Sequence, residues 1–329
     1  MDRAPIFIAG IERSGTSLLY ALLASHPNIA MTRRTNFWAF FYKRYGDLSQ
    51  PDNFERCIDT MIHYKRLKVL DLDFDRIRRE FWQADPTYQR LFTLLEEQFA
   101  ERLGKPRWGD KSLNTERYID DIFAAYPRAK MIHIIRDPRD RYASALKRWG
   151  NMQGKAGAGI AIWLSSMHLA KRNLQRYPDR YRIIRYETLA AQPEPTLRAI
   201  CEFLNEEYTP AMLTMEGAPG HLNRGSNSSY GKREPGYIST SSIGAFRKVL
   251  SKRDIAFIQI CAKKDMIAHG YELEPVDFSL GDQLLFYAIA WPDNMARKVA
   301  WHAREAIDNQ RGRTMPATTL LARGEARHA

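Results

Sequence analysis

The sequence predicts an α/β fold in which a central parallel sheet is flanked by helices, with a helical insertion after the first βα unit and further helices at the C-terminus. Three short runs carry that expectation: Pro5-Ile6-Phe7-Ile8-Ala9, Lys130-Met131-Ile132-His133-Ile134-Ile135 and Tyr181-Arg182-Ile183-Ile184. The first two have the length and apolar character of strands buried on both faces of a parallel sheet. Each run gives way to a helical pattern, the alternation that builds such a sheet.

The first run opens into Gly10-Ile11-Glu12-Arg13-Ser14-Gly15-Thr16-Ser17-Leu18-Leu19. Gly10 and Gly15 keep the frame Gly-x4-Gly-Lys-Ser/Thr of a phosphate-binding loop, in which lysine reaches the outer phosphates and the hydroxyl holds magnesium. Thr16 stands where that lysine belongs, and a basic residue reappears three places earlier as Arg13. The loop can still cradle a phosphate through backbone N–H groups and the next helix's N-terminus. It lacks the apparatus for a metal-bound triphosphate, so no metal is expected, and it suits a nucleotide whose 5′ group is already activated. Leu18, Leu19, Leu22 and Leu23 recur at helical spacing until His26-Pro27-Asn28 ends the helix. The plainer alternative is an ordinary Gly/Ser-rich βα turn.

The second run ends in Arg136-Asp137-Pro138-Arg139-Asp140-Arg141-Tyr142-Ala143-Ser144. Pro138 suits the first turn of a helix and Asp137 its N-cap. Arg136 then falls at the strand tip and Ser144 on the first helical turns, on the edge where open α/β sheets bind ligands. A guanidinium and a hydroxyl at this spacing can grip a second phosphate. A solvated charge cluster is the alternative.

Together these motifs resemble the sulfotransferases that use 3′-phosphoadenosine 5′-phosphosulfate (PAPS), whose fold is P-loop-like. The resemblance spans roughly residues 5 to 265 and is concentrated in the first two motifs. It implies that Arg13, Ser14, Gly15, Thr16, Ser17 and Leu18 form the 5′-phosphosulfate loop, and that Arg136 and Ser144 clamp the 3′-phosphate. It places Tyr186, in Tyr186-Glu187-Thr188-Leu189, near the adenine. Ser241 and Arg247, in Ser239-Thr240-Ser241-Ser242-Ile243-Gly244-Ala245-Phe246-Arg247, resemble the last nucleotide-contacting segment. Trp108-Gly109-Asp110-Lys111-Ser112 resembles a loop that relatives hold near the transferring group.

The activity so implied is transfer of SO₃ from PAPS to an acceptor hydroxyl or amine, in which catalysis rests on positioning and charge stabilisation. Arg13 is expected to neutralise charge growing on the bridging oxygen, with Lys111 as the second cation. An acceptor hydroxyl also needs a proton acceptor within hydrogen-bond reach. Golgi-type and many bacterial relatives supply a glutamate shortly after the His-Pro that ends the first helix, but Met31-Thr32-Arg33-Arg34-Thr35 puts Arg34 near that place. The Lys-Thr-His tripeptide of cytosolic relatives is also absent. Asp110 is then the candidate base, needing a pKa raised by burial, with Glu12 and His63 behind it. An ion pair with Lys111 or a helix N-cap is the structural alternative for Asp110.

Composition agrees with one large domain over residues 1–275, because 44% of the 329 residues are hydrophobic and no linker or repeat divides them. Residues 276–310 read as a helical extension and 311–329 as a disordered tail. Net charge is +12, from 50 basic and 38 acidic residues. That excess would attract a nucleotide carrying two phosphates and a sulfate, and would equally suit nucleic acid or an anionic membrane. Two rival classes follow: a P-loop kinase, opposed by the missing lysine at position 16, and a non-catalytic nucleic-acid or membrane-binding protein. The latter would gather its basic residues along one aromatic-interleaved face, whereas here the most suggestive ones sit at strand ends, and no nucleic-acid partner is expected.

Cys57, Cys201 and Cys261 lie far apart without metal-ligand spacing and read as buried thiols of a reducing compartment. The chain enters its first strand directly, leaving no room for a signal peptide, so a cytoplasmic location is expected. Leu284 to Trp291 is apolar but cut by Pro292, too short to span a bilayer.

Residues 36–104 carry aromatics and charges in helical rhythm, among them Phe37, Phe40, Phe41, Tyr45, Ile58, Met61 and Ile62. The resemblance makes this insertion the cover of the acceptor site, for a small-molecule, glycan, lipid or peptide acceptor. Plain packing is the alternative. From Gly281 to Asp308 the pattern suggests two helices broken at Trp291-Pro292, with Arg297, Lys298, His302 and Arg304 beside Val299, Ala300 and Trp301. Such a basic amphipathic helix can rest on a membrane surface or pack on its own domain.

Overall fold

The computed structural model describes residues 4–150, 155–222, 237–311 and Met315. Five strands, β1 (Ile6–Ala9), β2 (Ile29–Arg33), β3 (Arg107–Lys111), β4 (Lys130–Ile135) and β5 (Tyr181–Arg185), form one sheet in the order β2-β3-β1-β4-β5. Every neighbouring pair is parallel. The central strand β1 is wholly buried, which explains its unbroken apolar sequence. Its side chains divide with the period-2 rule: Phe7 and Ala9 enter the core on one face, Ile6 and Ile8 that on the other.

On the Ile6/Ile8 face lies α1 (Thr16–Ala24), burying Leu18, Leu19, Leu22 and Leu23. The expected insertion is a run of helices: α2 (Phe37–Phe40), α3 (Pro51–His63), α4 (Lys65–Lys68), α5 (Phe74–Phe81) and α6 (Tyr88–Arg102). Its aromatics go into the core on the Phe7 face. Phe92 stacks on Phe37 at 4.6 Å between ring centroids and on Phe7 at 6.4 Å. Phe54 and Phe81 stack at 4.1 Å. Full burial of such a side chain contributes about 1.5–3 kcal/mol, so packing accounts for these residues.

The remaining helices are α7 (Ile119–Ala125), α8 (Pro138–Trp149), α9 (Lys155–Arg176), α10 (Tyr186–Ala191), α11 (Pro193–Leu204), α12 (Pro219–Leu222), α13 (Lys252–Ala268), α14 (Leu280–Leu285) and α15 (Trp291–Arg311). A π-helical segment, Phe286–Ala290, joins α14 to α15. Pro292 follows directly on the π-helical segment, and the chain stays helical through the expected break although the proline has no N–H to give. The disordered-tail reading of 311–329 falls outside the described residues, apart from Arg311 and Met315. No described helix is long and apolar enough to cross a membrane.

Two strands depart from the sequence reading. β2 was not foreseen, and Trp108 to Lys111, expected in a loop, forms most of β3. The polar Gly-Asp-Lys hides a strand because Trp108 packs edge-on against Phe7 at 6.0 Å and Phe92 at 5.7 Å. Helix α15 lies directly on α9. Asn294 accepts from the Gly157 N–H at 2.8 Å, and a Cβ on Gly157 would come within 2.0 Å of the Asn294 carbonyl oxygen.

Candidate nucleotide and acceptor site

The order β3-β1-β4 sets the loops after these strands side by side at one sheet edge, where parallel sheets bind ligands. Arg13 has φ 69°, a left-handed conformation that costs a non-glycine residue about 1–3 kcal/mol. Its Nε donates to Ser144 Oγ of α8 at 2.9 Å, and its guanidinium lies 5.9 Å from the centroid of the Trp149 ring. Arg136, buried at the tip of β4, donates from Nη1 to the Arg13 carbonyl at 3.1 Å and from Nη2 to the Ser242 carbonyl at 2.7 Å. Its guanidinium stacks 4.5 Å above the Tyr186 ring. The Tyr186 and Ser242 hydroxyls share a hydrogen bond of 2.7 Å. Two motifs 123 residues apart thus form one hydrogen-bonded network.

The other loop positions divide by role. Ser14 is buried and its Oγ has no hydrogen-bond partner among the described residues. Thr16 is buried with its methyl group near Gly10, Leu18 points into the core, and Ser17 is exposed. Gly15, with φ 100°, caps α1; a Cβ there would lie 2.5 Å from Tyr186 Cδ2. Asp137 caps α8 as expected, accepting from the Arg139 N–H at 2.8 Å. Asp140 accepts from the N–H groups of Gly244 at 2.7 Å and Phe246 at 2.9 Å, holding the 239–247 segment against α8.

In that segment the structure brings Ser242, not Ser241, into the arginine network. Ser241 Oγ accepts from Ser239, and Arg247 is ion-paired with Glu274, its side chain 60% exposed. Four consecutive hydroxyl residues, Ser239 to Ser242, gave no local signal for which of them faces inward.

Asp110 and Lys111 are both buried at the end of β3. Asp110 Oδ1 accepts from the hydroxyls of Thr35 at 2.9 Å, Thr32 at 3.1 Å and Ser112 at 3.2 Å, while Oδ2 has no partner among the described residues. Burial pushes its pKa up to about 6, against the pull of those hydroxyls. Thr32 Oγ1 also lies 2.8 Å from Oε1 of the fully buried Glu96, whose pKa burial raises well above the usual carboxylate range; with its one proton given to Asp110, the Thr32 hydroxyl accepts from the protonated Glu96. Burial, with Arg34 and Arg33 nearby, lowers the Lys111 pKa to about 7. An anion bound beside Lys111 would favour its charged form.

Because the Asp110 pKa is raised on folding, from 3.8 to about 6, the folded protein binds more protons in that interval and loses stability as pH rises through it. Relative to wild type, Asp110→Asn should therefore gain about 2 kcal/mol between pH 4 and pH 7, measured by urea unfolding at both values. A difference independent of pH would contradict the assigned burial cost.

A cavity of about 560 Å³ opens beside the phosphate loop, lined among others by Glu12, Glu116, Arg141, Ser166, Trp301 and Glu305. No lining residue comes from the helical insertion, and Asp110 does not reach it either. Helix α15 supplies one wall, so the segment read from sequence as a membrane-facing or self-packing helix closes the cavity. Glu116, which sequence reasoning missed, accepts the Gly10 N–H at 3.3 Å through Oε2 and the Ser166 hydroxyl at 3.4 Å through Oε1. His63, a second-rank candidate base, lies on α3 with Nδ1 2.7 Å from the Asp59 carbonyl and is not among the residues lining the cavity.

A parallel sheet whose neighbouring strands β1 and β4 end in two arginines joined by a hydrogen bond defines an α/β protein with two guanidinium groups gathered at one sheet edge. A family model described as the sulfotransferase family matches residues 5–210, and the chain belongs to that family. It is similar to the nodulation protein NoeE of Sinorhizobium fredii, at 25% identity over 76% of this chain and 57% of that protein. It is also similar to the protein-tyrosine sulfotransferase of Drosophila melanogaster, at 24% identity over 64% of this chain and 40% of that protein. The chain thus spans about half the length of these curated relatives. Among solved structures, the sulfotransferase domain of the Synechococcus PCC 7002 olefin synthase shares the fold, with a TM-score of 0.58 and 21% identity over 83% of this chain and 97% of that domain.

Proposed function

We propose that this protein transfers the sulfuryl group of PAPS to an acceptor hydroxyl or amine by in-line displacement without a metal. The observation that carries the reading is the joining of the two anion grips through the Arg136 hydrogen bond to the Arg13 carbonyl and the Arg13 hydrogen bond to Ser144. The residues present fit such a ligand. Ser14 Oγ and Arg136 Nε are buried without partners among the described residues, and buried donors left unpaired are costly. The terminal nitrogens of Arg136 donate to neutral carbonyls rather than to carboxylates, so its charge meets Asp140 and Glu187 only through space.

When bound, PAPS supplies a sulfuryl group already activated by a phosphate leaving group. Residues Arg13 to Ser17 would hold its 5′ end, Arg136 and Ser144 its 3′-phosphate, and Tyr186 would lie near its adenine. Arg13 and Lys111 would stabilise charge developing on the leaving oxygen. Thr16, in place of the P-loop lysine, supports a donor other than magnesium-bound ATP. The acceptor, whether small molecule, glycan, lipid or peptide, must bring its nucleophile to the cavity beside Arg13.

Calorimetry with adenosine 3′,5′-bisphosphate (PAP) in the presence of EDTA tests this reading, with micromolar binding as the expected result. Absence of PAP binding, or turnover that needs magnesium and ATP, would favour a kinase instead.

A further inference from the structure

Three carboxylates line the cavity beside the phosphate loop, and their surroundings differ. Glu305 is ion-paired with Arg117 at 2.7 Å, its side chain only 12% exposed. Glu116 is fully shielded from solvent and bonded through both oxygens, to the Gly10 N–H and to Ser166. Glu12 is exposed, and its carboxylate makes no hydrogen bond or ion pair among the described residues. Its backbone is nevertheless fixed, because the buried Arg141 donates from Nε to the Glu12 carbonyl at 3.1 Å. Its negative charge favours the charged forms of Lys111 and Arg141, the former expected near the transferring group. The end of β2 offers Arg33 and Arg34 where the family resemblance predicts a glutamate.

We propose that the cavity walled by α9 and α15 receives the acceptor and that Glu12 is the general base that takes the proton from its hydroxyl. This rests on the sulfotransferase reading above. Glu12 accepts the proton as the acceptor oxygen forms its bond to sulfur. The sulfur bond to the bridging oxygen breaks, its electron pair passes to the phosphate of departing PAP, and Arg13 meets the charge. The products are a sulfate ester and PAP, and the proton leaves Glu12 through its solvent-exposed side. Base and leaving-group cation are thus successive residues of one loop. Trp301, half-buried on α15, forms part of the cavity wall and would pack against the body of the acceptor.

Glu12→Gln preserves shape and removes the proton acceptor. Transfer from PAPS is measured with 2-naphthol, benzyl alcohol and tyrosine methyl ester. The expected result is PAP affinity within about twofold of wild type, an unchanged KM for PAPS and a kcat lowered about 100-fold or more, the usual range for a general base. Wild-type kcat/KM should rise with pH along a single-proton acidic limb that Glu12→Gln lacks and Glu12→Asp retains. Trp301→Ala should raise the acceptor KM while leaving PAP affinity intact. A Glu12→Gln protein with wild-type kcat and an intact acidic limb overturns the assignment of the base. Wild-type protein that binds PAP yet sulfates none of these compounds overturns the assignment of the cavity, which is large enough for each. Failure of the wild type to bind PAP strikes the sulfotransferase reading itself.

Discussion

Arg136→Ala should weaken PAP binding by roughly 30-fold or more, the equivalent of the 2–5 kcal/mol that truncating one partner of a buried, hydrogen-bonded charge pair costs. Arg136 is 5% exposed, stacks on Tyr186 and ties the phosphate loop to the 239–247 segment through two carbonyl hydrogen bonds. Its loss removes both a cation for the ligand and the brace between two walls of the site. Arg136→Lys keeps the charge but cannot span both carbonyls from a planar fork, so it should fall between wild type and alanine. Arg13→Ala should weaken binding as well, because it removes the cation beside Ser144 and the donor that orders it. Near-normal PAP affinity by calorimetry in both alanine variants, with circular dichroism unchanged, would remove the basis for the nucleotide site.

Gly15→Ala should destabilise the protein by about 2–6 kcal/mol, the sum of an unfavourable backbone conformation and overpacking. Its φ is 100°, and the new Cβ would lie 2.5 Å from Tyr186 Cδ2 and 3.1 Å from Ile134 Cδ1. Since Tyr186 carries the Arg136 stack, moving its ring should also lower PAP affinity. Gly104 provides the comparison. It too has a positive φ, 63°, but a Cβ there meets nothing within 4 Å. Gly104→Ala should therefore show the conformational cost alone and leave PAP binding untouched. Equal urea midpoints and equal PAP affinities in the two variants would mean that the contact between loop and tyrosine has no energetic weight.

How much of the site was legible depended on whether its chemistry was local. The phosphate loop could be read because Gly10, Arg13 and Gly15 lie within six residues and follow an apolar strand. Arg136 could be read because a strand, an N-cap aspartate and a helix-starting proline succeed one another without a gap. Asp110 was legible as a carboxyl with a pKa raised by burial, but the hydroxyls that enclose it come from Thr32 and Thr35 as well as Ser112. That pairing depends on β2 lying beside β3, and it separates Asp110 from the cavity.

Contiguous residues specify the parallel strands β1 and β4, the helices that follow them and the placing of Arg13 and Arg136 at their tips, because local periodicity and turn chemistry suffice for each. Tertiary structure decided the rest. It turned Ser242 rather than Ser241 toward Tyr186, drew Glu116 under the phosphate loop, made Trp108 to Lys111 a strand, and set α15 against α9 as a cavity wall. These outcomes depend on contacts between residues far apart in the chain, and the direction of a side chain across such a contact has no local signature.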